Sequence, residues 1–143
     1  MKLVDANLLL YAINEDAPLH IQARTWLEEV QSGSETVAFS WTVLLAFLRL
    51  STRAAVFDHP LSPEQALDLI DSWLDQPGAT VLHPGERHRW LLRDLLAPLG
   101  TGGNLSSDAH LAALAIEHGA ELCSCDSDFS RFPGLRWRNP LAG

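Results

Sequence analysis

Short apolar runs alternate along this chain with longer runs of helical period. Lys2-Leu3-Val4 is a brief apolar stretch closed by an acid, Asp5, and reads as a buried strand. Ala6 to Ile13 reads as a helix that Pro18 separates from the next element. His20 to Val30 is amphipathic, with Ile21, Ala23, Trp26, Leu27 and Val30 predicted inward. Gln31 to Ser34 is a turn, and Thr36 to Phe39 a second strand. Ser40 caps a helix through Trp41, Leu44, Leu45 and Leu48 to about Arg53. Ser62, Pro63 and Gln65 have the spacing of a capping box with proline in the first helical position. That helix runs to about Asp75 on a face of Ala66, Leu67, Ile70, Trp73 and Leu74, and Pro77-Gly78 ends it.

Ala79 to Leu82 is a third strand, and Glu86 to Leu99 a helix stopped by Gly100-Thr101-Gly102-Gly103. Ser106 or Ser107 caps the next helix, which carries Leu111, Leu114, Ala115 and His118 and ends at Gly119. Glu121 to Ser124 is a fourth strand. Asp126 to Phe129 enters a single helical turn, and Leu135 to Trp137 is a fifth strand. Strands that are apolar throughout, and that alternate with helices, predict a parallel sheet covered on both faces. Ligands of such folds sit beyond the carboxyl ends of the strands, so the residues found there are the candidates for chemistry.

Length and charge narrow the picture. The chain has 143 residues, enough for one domain with its own core over positions 1–143. No apolar run approaches the ~18 residues that cross a bilayer. The carboxylate of Asp5 stands where a signal peptide would begin its apolar stretch, so a cytoplasmic protein with no membrane attachment is expected. The net charge of −8, from 10 basic and 18 acidic residues, excludes nucleic-acid binding by bulk positive charge. If the chain handles nucleic acid, a divalent cation or a basic partner must offset its own field. Cys123 and Cys125 lie too close along one strand for a disulfide and lack zinc-ligand spacing, so they read as buried apolar residues in a reducing compartment.

Four acids fall at the predicted strand ends. Asp5 closes the first strand, Asp126 and Asp128 follow the fourth, and Asp108 opens the helix before it. An ionised Asp5 at the end of a buried strand is costly without a partner, and a hard cation is one such partner. Each acid also has a plain alternative. Asp5 serves as a helix N-cap, Asp108 as an anion favoured at a helix N-terminus, and Asp126 and Asp128 as turn residues.

These residues resemble the PIN-domain family. Asp5-Ala6-Asn7-Leu8-Leu9-Leu10-Tyr11-Ala12 resembles its opening motif. The segment from Gly103 through Asp108 to Ala115 resembles the family's third acidic motif. The segment from Glu117 through Asp126 and Asp128 to Leu135 resembles the fourth. Within the family the likeness is to VapC-type toxins of bacterial toxin–antitoxin pairs, in a mycobacterial-like subgroup. It covers nearly the whole chain. The resemblance implies a three-layer α/β/α sandwich with a short, mostly parallel central sheet. It implies a metal-dependent endoribonuclease cutting tRNA or structured rRNA. Asp5, Asp108 and Asp126 would hold Mg²⁺ or Mn²⁺, and Asp128 would be a further ligand or supporting acid. It also implies a cognate antitoxin, and a homodimer is expected.

The chain departs from the family at one place. A glutamate usual on the helix after the second strand falls, by register against Arg49, on Ala46, and no acid occurs between Glu35 and Asp58. The remaining acids then suffice, or Glu86 or Asp94 substitutes, or the nuclease is crippled and the chain persists as a binding module. Arg49 either positions a phosphate or makes a helix-face ion pair. Asn7 and Ser107 are candidates to support the acids, with helix capping the plainer role for Ser107. His110, two residues past Asp108, points to another face. Arg87, His88, Arg89 and Arg93 form a basic cluster, either contacting RNA phosphates or forming a solvated face, and Arg131, Arg136 and Arg138 form a second. Trp26, Trp41, Trp73 and Trp90 are expected in the core, and Trp137 less so. A phosphoryl-accepting receiver is disfavoured because the only lysine is Lys2. A haloacid-dehalogenase-like phosphatase is disfavoured because position 7 is Asn7.

Overall fold

The computed structural model describes residues 1–142. Five short strands form one sheet: β1 (Lys2–Val4), β2 (Val37–Phe39), β3 (Ala79–Val81), β4 (Glu121–Cys123) and β5 (Trp137–Arg138). Their order is β3-β2-β1-β4-β5, and every pairing is parallel. Leu3 and Val4, all of β2, and Leu122 with Cys123 are buried, which is why these strands read as unbroken apolar runs.

Six helices cover the sheet: α1 (Ala6–Ile13), α2 (His20–Ser32), α3 (Trp41–Ser51), α4 (Pro63–Leu74), α5 (His88–Leu96) and α6 (Leu105–His118). From β1 the chain steps outward through β2 to β3, then returns across β1 to β4. Right-handed crossovers therefore send α1 to α4 to one face and α5 with α6 to the other. The packing agrees, since α1 meets α2 and α3, α3 meets α4, and α5 meets α6. The result is the expected α/β/α sandwich. The reversal of strand order places a crevice between the carboxyl ends of β1 and β4. None of the helices is long and apolar enough to cross a membrane.

Local signals built several elements as the sequence predicts. Ser62 accepts from the Gln65 backbone N–H at 3.1 Å, and the Gln65 side chain accepts from the Ser62 N–H at 2.9 Å. Gly119 ends α6 at φ +67, a conformation that favours glycine.

Other expectations are corrected. Ile21 is 74% exposed, because Ala23 and Leu27 form the buried stripe of α2 and Ile21 lies about 200° from Ala23. Leu67 is exposed beside the buried Ala66–Ile70–Trp73 stripe of α4. Trp41, Leu45 and Trp90 are also exposed rather than core. Helix α5 begins at His88, not Glu86, and hands over to a 3₁₀ turn at Ala97–Leu99. Neither Ser106 nor Ser107 caps α6. The helix starts at Leu105, where tight turns link the Leu105 N–H to Gly102 O and the Ser106 N–H to Gly103 O. The last strand is Trp137–Arg138, paired with Leu122 and Cys123.

Candidate active site

Asp5 is fixed from three directions. Its backbone N–H continues the ladder to Cys123 O at 3.0 Å. Its Oδ1 accepts from the Ala6 N–H at 2.7 Å, which caps α1. Its Oδ2 accepts the Ser124 hydroxyl at 2.6 Å and lies 3.5 Å from the Asn7 amide. Burial pushes the Asp5 carboxyl upward; the Ser124 and Ala6 hydrogen bonds oppose this, and the Asp126 charge adds to it.

Ser124 is the hub beneath the acids, and it is fully buried. Besides donating to Asp5, its Oγ accepts from Asn7 Nδ2 at 3.1 Å and from the Asp126 N–H at 3.0 Å. One donor and two lone pairs are all used. Asn7 also accepts from the Cys125 N–H at 3.3 Å, so α1 and the β4 exit are stitched together. The support expected of Asn7 is thus made by direct hydrogen bonds. Ser124 was not singled out in the sequence. Its one local signal is a hydroxyl at the end of an apolar strand, two residues before an acid.

The structure brings Asp108, Asp126 and Asp128 together, each offering a carboxylate oxygen, all within 4.8 Å of one another. Asp126 Oδ1 accepts from the Asp128 N–H at 2.9 Å, which turns the chain so that both acids face α6. Asp108 arrives from the first turn of α6. Its carboxyl is pushed up to about 6, first by desolvation and then by the charges of Asp126, Asp5 and Asp128. Asp5 acts on this group through its charge but is not a member of it. Its two oxygens already have protein partners. Three converging carboxylates with oxygen donors only suit a hard divalent cation such as Mg²⁺ or Mn²⁺. The elevated Asp108 proton affinity comes first from burial and then from this same accumulation of negative charge. The residues present fit such an ion.

A cleft of about 400 Å³ opens beside these acids. Asp5 and Ala6 form its floor, Ser107, Asp108 and Leu111 one wall, and Thr42, Val43, Leu45, Ala46 and Arg49 the other. Ala46 therefore lies where the sequence register places it, across from the acids. Neither Glu86 nor Asp94 lines the cleft. Both are exposed, and Glu86 borders a separate depression beside His88, Arg89 and Trp90. His110 turns away toward α5, where its Nδ1 meets His88 Nε2 at 2.9 Å. Arg89 lies over the Trp90 ring at 4.9 Å, and Arg131 pairs with Asp128 at 3.6 Å.

Fold and site together define a PIN-like α/β/α protein whose strand-end crevice is lined by acids. Residues 2–135 match the PIN domain, and the chain belongs to that family. It is 48% identical over 142 residues to the ribonuclease VapC37 of Mycobacterium tuberculosis, covering 99% of each chain. It is 39% identical over 141 residues to the ribonuclease VapC33 of the same organism, again covering 99% of each. The fold is also similar to that in the structure of VapBC2 from Rickettsia felis bound to a promoter DNA fragment. There the TM-score is 0.72 at 22% identity, over 96% of this chain and 97% of that one.

Proposed function

We propose that this chain is a divalent-metal-dependent endoribonuclease, the toxin of a toxin–antitoxin pair, and that it hydrolyses phosphodiester bonds of tRNA or structured rRNA. The observation that carries the reading is the convergence of Asp108, Asp126 and Asp128 at the crevice between β1 and β4. Relatives named VapC ribonucleases, matched over almost their whole length, support it. They also support a cognate antitoxin as partner.

In this reading the catalytic set is Asp5, Asp108, Asp126 and Asp128. Asp108 and Asp126 would hold Mg²⁺ or Mn²⁺ directly. Asp5, whose oxygens keep lone pairs beyond their hydrogen bonds to Ala6 and Ser124, would join them in holding the ion, with Asp128 a further ligand or supporting acid. When bound, the cation supplies Lewis acidity that withdraws charge from a phosphoryl oxygen and makes water a better nucleophile at neutral pH. The chain's own part is preorganisation. Ser124 and Ala6 hold Asp5 in one rotamer, and Asp126 is held by its backbone link to Ser124. These groups are set before substrate arrives, so little reorganisation accompanies the reaction. The proton lost by the attacking water passes to solvent water or to a cleft carboxylate that does not hold the ion.

One observation favours a second reading, an attenuated nuclease or a binding module that keeps the antitoxin contact. The α3 wall facing the acids presents Ala46, a methyl group, where a further carboxylate would fit. Incubating the purified protein with total RNA, with Mg²⁺, with Mn²⁺ and with chelator, and mapping the cut ends, separates the two. Cation-dependent cuts with 5′-phosphate ends, abolished by Asp126→Asn, support the nuclease. An intact RNA pool under all conditions supports the binding module. A homodimer belongs to the same proposal, with Ile21, Val56 and Leu67 exposed and none of them lining the cleft. Sedimentation velocity tests it directly.

A further inference from the structure

The cleft is uneven in charge. Its floor and α6 wall carry Asp5 and Asp108, whereas its α3 wall carries one guanidinium, Arg49, and no acid. Thr42, Leu45, Ala46 and Arg49 recur at intervals of three and four residues, a single stripe of the helix. The opposite stripe, Leu44 and Phe47, is buried in the core, and Val43 lies buried at its edge where it reaches the cleft. Arg49 is exposed, and among the described residues it forms none of the chain's ion pairs. In a chain with 18 acids and 10 bases, a guanidinium left unpaired beside a carboxylate cleft is available to an incoming anion. One and two helical turns before it, Leu45 is 54% exposed and Trp41 is 45% exposed. They are one helical turn apart on the same side, and Leu45 lines the cleft, so the pair forms an apolar ridge that runs outward from it along α3.

We propose that Arg49 anchors a backbone phosphate of the RNA strand adjacent to the bond being cut, and that the Trp41–Leu45 ridge is the rest for an unpaired base of that strand. The inference rests on the ribonuclease reading and deepens it, since it makes unpaired nucleotides the element recognised. A guanidinium grips a phosphate with two parallel hydrogen bonds. It is also the one group of the cleft that offsets repulsion between the RNA backbone and Asp5 and Asp108. Arg49 and Trp41 are eight residues apart, about 12 Å along the helix at 1.5 Å per residue, so a few nucleotides of one strand reach both. Bases splayed from a loop stack on exposed aromatic side chains, whereas bases inside an A-form duplex do not present a free face. The cation facing the acids suits an anionic occupant, and on the ribonuclease reading that occupant is the RNA backbone.

The test uses a fluorescein-labelled single-stranded RNA dodecamer and the matching duplex. Binding is followed by anisotropy in Mg²⁺, in an Asp126→Asn background that prevents cutting. Arg49→Gln is expected to weaken single-strand binding about tenfold and to reduce the steepness of log K against log salt by about one, while Arg49→Lys keeps the slope. Trp41→Ala is expected to weaken single-strand binding about tenfold and to leave duplex binding unchanged, with Trp41→Phe close to the parent. Circular dichroism of each variant excludes unfolding. The inference is overturned if Arg49→Gln leaves affinity and slope unchanged. It is also overturned if Trp41→Ala changes the sedimentation coefficient while RNA affinity stays constant, which would make the ridge a self-association face. A parent protein that neither binds nor cuts RNA removes the ribonuclease reading as well. A parent that cuts RNA while both variants match it removes this inference alone.

Discussion

The hydroxyl of Ser124 donates to Asp5 Oδ2 at 2.6 Å, across the seam where β1 and β4 end. The two residues are 119 positions apart in sequence. Through this contact the first acid of the chain is tied to the turn that carries Asp126 and Asp128. Replacing Ser124 by alanine leaves Asp5, Asn7 and the Asp126 N–H each short of a partner in a buried setting. We expect Ser124→Ala to lower stability by about 1–3 kcal/mol and to reduce cleavage more than Km. Urea denaturation beside steady-state cleavage checks this. A variant that is as stable and as active as the parent would show that the hub is dispensable.

The Asp108 carboxyl predicts a pH dependence of opposite sign to that of a salt-bridged acid. Its affinity for a proton rises to about 6 in the folded chain, against an ordinary value near 4. Between those values the native state holds a proton that the unfolded chain has released. The Asp108 contribution to stability is therefore fully present below about pH 4 and is lost as pH rises through about 6. The Asp5 shift has the same direction and steepens the effect. Asp108→Asn is expected to raise stability at pH 7.5 by about 1 kcal/mol in chelator, a figure reduced for the partial exposure of the group. It should also flatten, without abolishing, the pH dependence. Denaturation at pH 4.5, 6 and 7.5 checks both. A parent and an Asp108→Asn variant with the same pH dependence across that range contradict the burial and charge crowding of Asp108.

A cation that relieves this crowding stabilises the fold by mass action. Titrating Mg²⁺ or Mn²⁺ into chelator-treated protein is expected to raise Tm, and Asp126→Asn to suppress most of that rise. Asparagine keeps the oxygen that accepts from the Asp128 N–H, so the turn itself survives. Cleavage is expected to fall at least about a hundredfold, the loss of a few kcal/mol of charge stabilisation. Differential scanning fluorimetry and a gel-based cleavage assay read the two effects. An unchanged cation response in Asp126→Asn would remove this residue from the binding set.

Ala46→Glu places a fourth acid on the α3 wall. Glutamate and alanine differ little in helix propensity, and position 46 borders the cleft, so the helix is expected to tolerate the change. We expect about tenfold tighter Mn²⁺ binding by calorimetry, faster cleavage, and lower stability in chelator from added repulsion. Unchanged affinity and rate would mean that the existing carboxylates already saturate the ion.

The three-layer architecture was legible because its signals are local. Short, wholly apolar strands announce a sheet buried on both faces, and the Ser62–Gln65 capping box forms as its spacing predicts. Helix faces were legible only within about 100°, the turn between neighbouring residues. That is why the pattern of α4 includes Leu67 in the apolar face although Ala66, Ile70 and Trp73 are its buried residues. The same uncertainty concealed Trp41 and Leu45, whose apolar character matches core residues although both are exposed and Leu45 lines the cleft.

By itself the sequence determined the kinds of groups available and their order along the chain: acids at strand ends, a methyl at position 46, a guanidinium one turn later. Only the tertiary structure decided which of them meet. It gathered Asp108, Asp126 and Asp128 within 4.8 Å, set Asp5 beside them with its oxygens engaged, and made Ser124 the link. The reason is physical. Propensity and capping act over a few residues, whereas the parallel pairing of β1 with β4 closes a loop of more than a hundred residues. That closure gathers charges that repel one another, a juxtaposition that no local preference encodes.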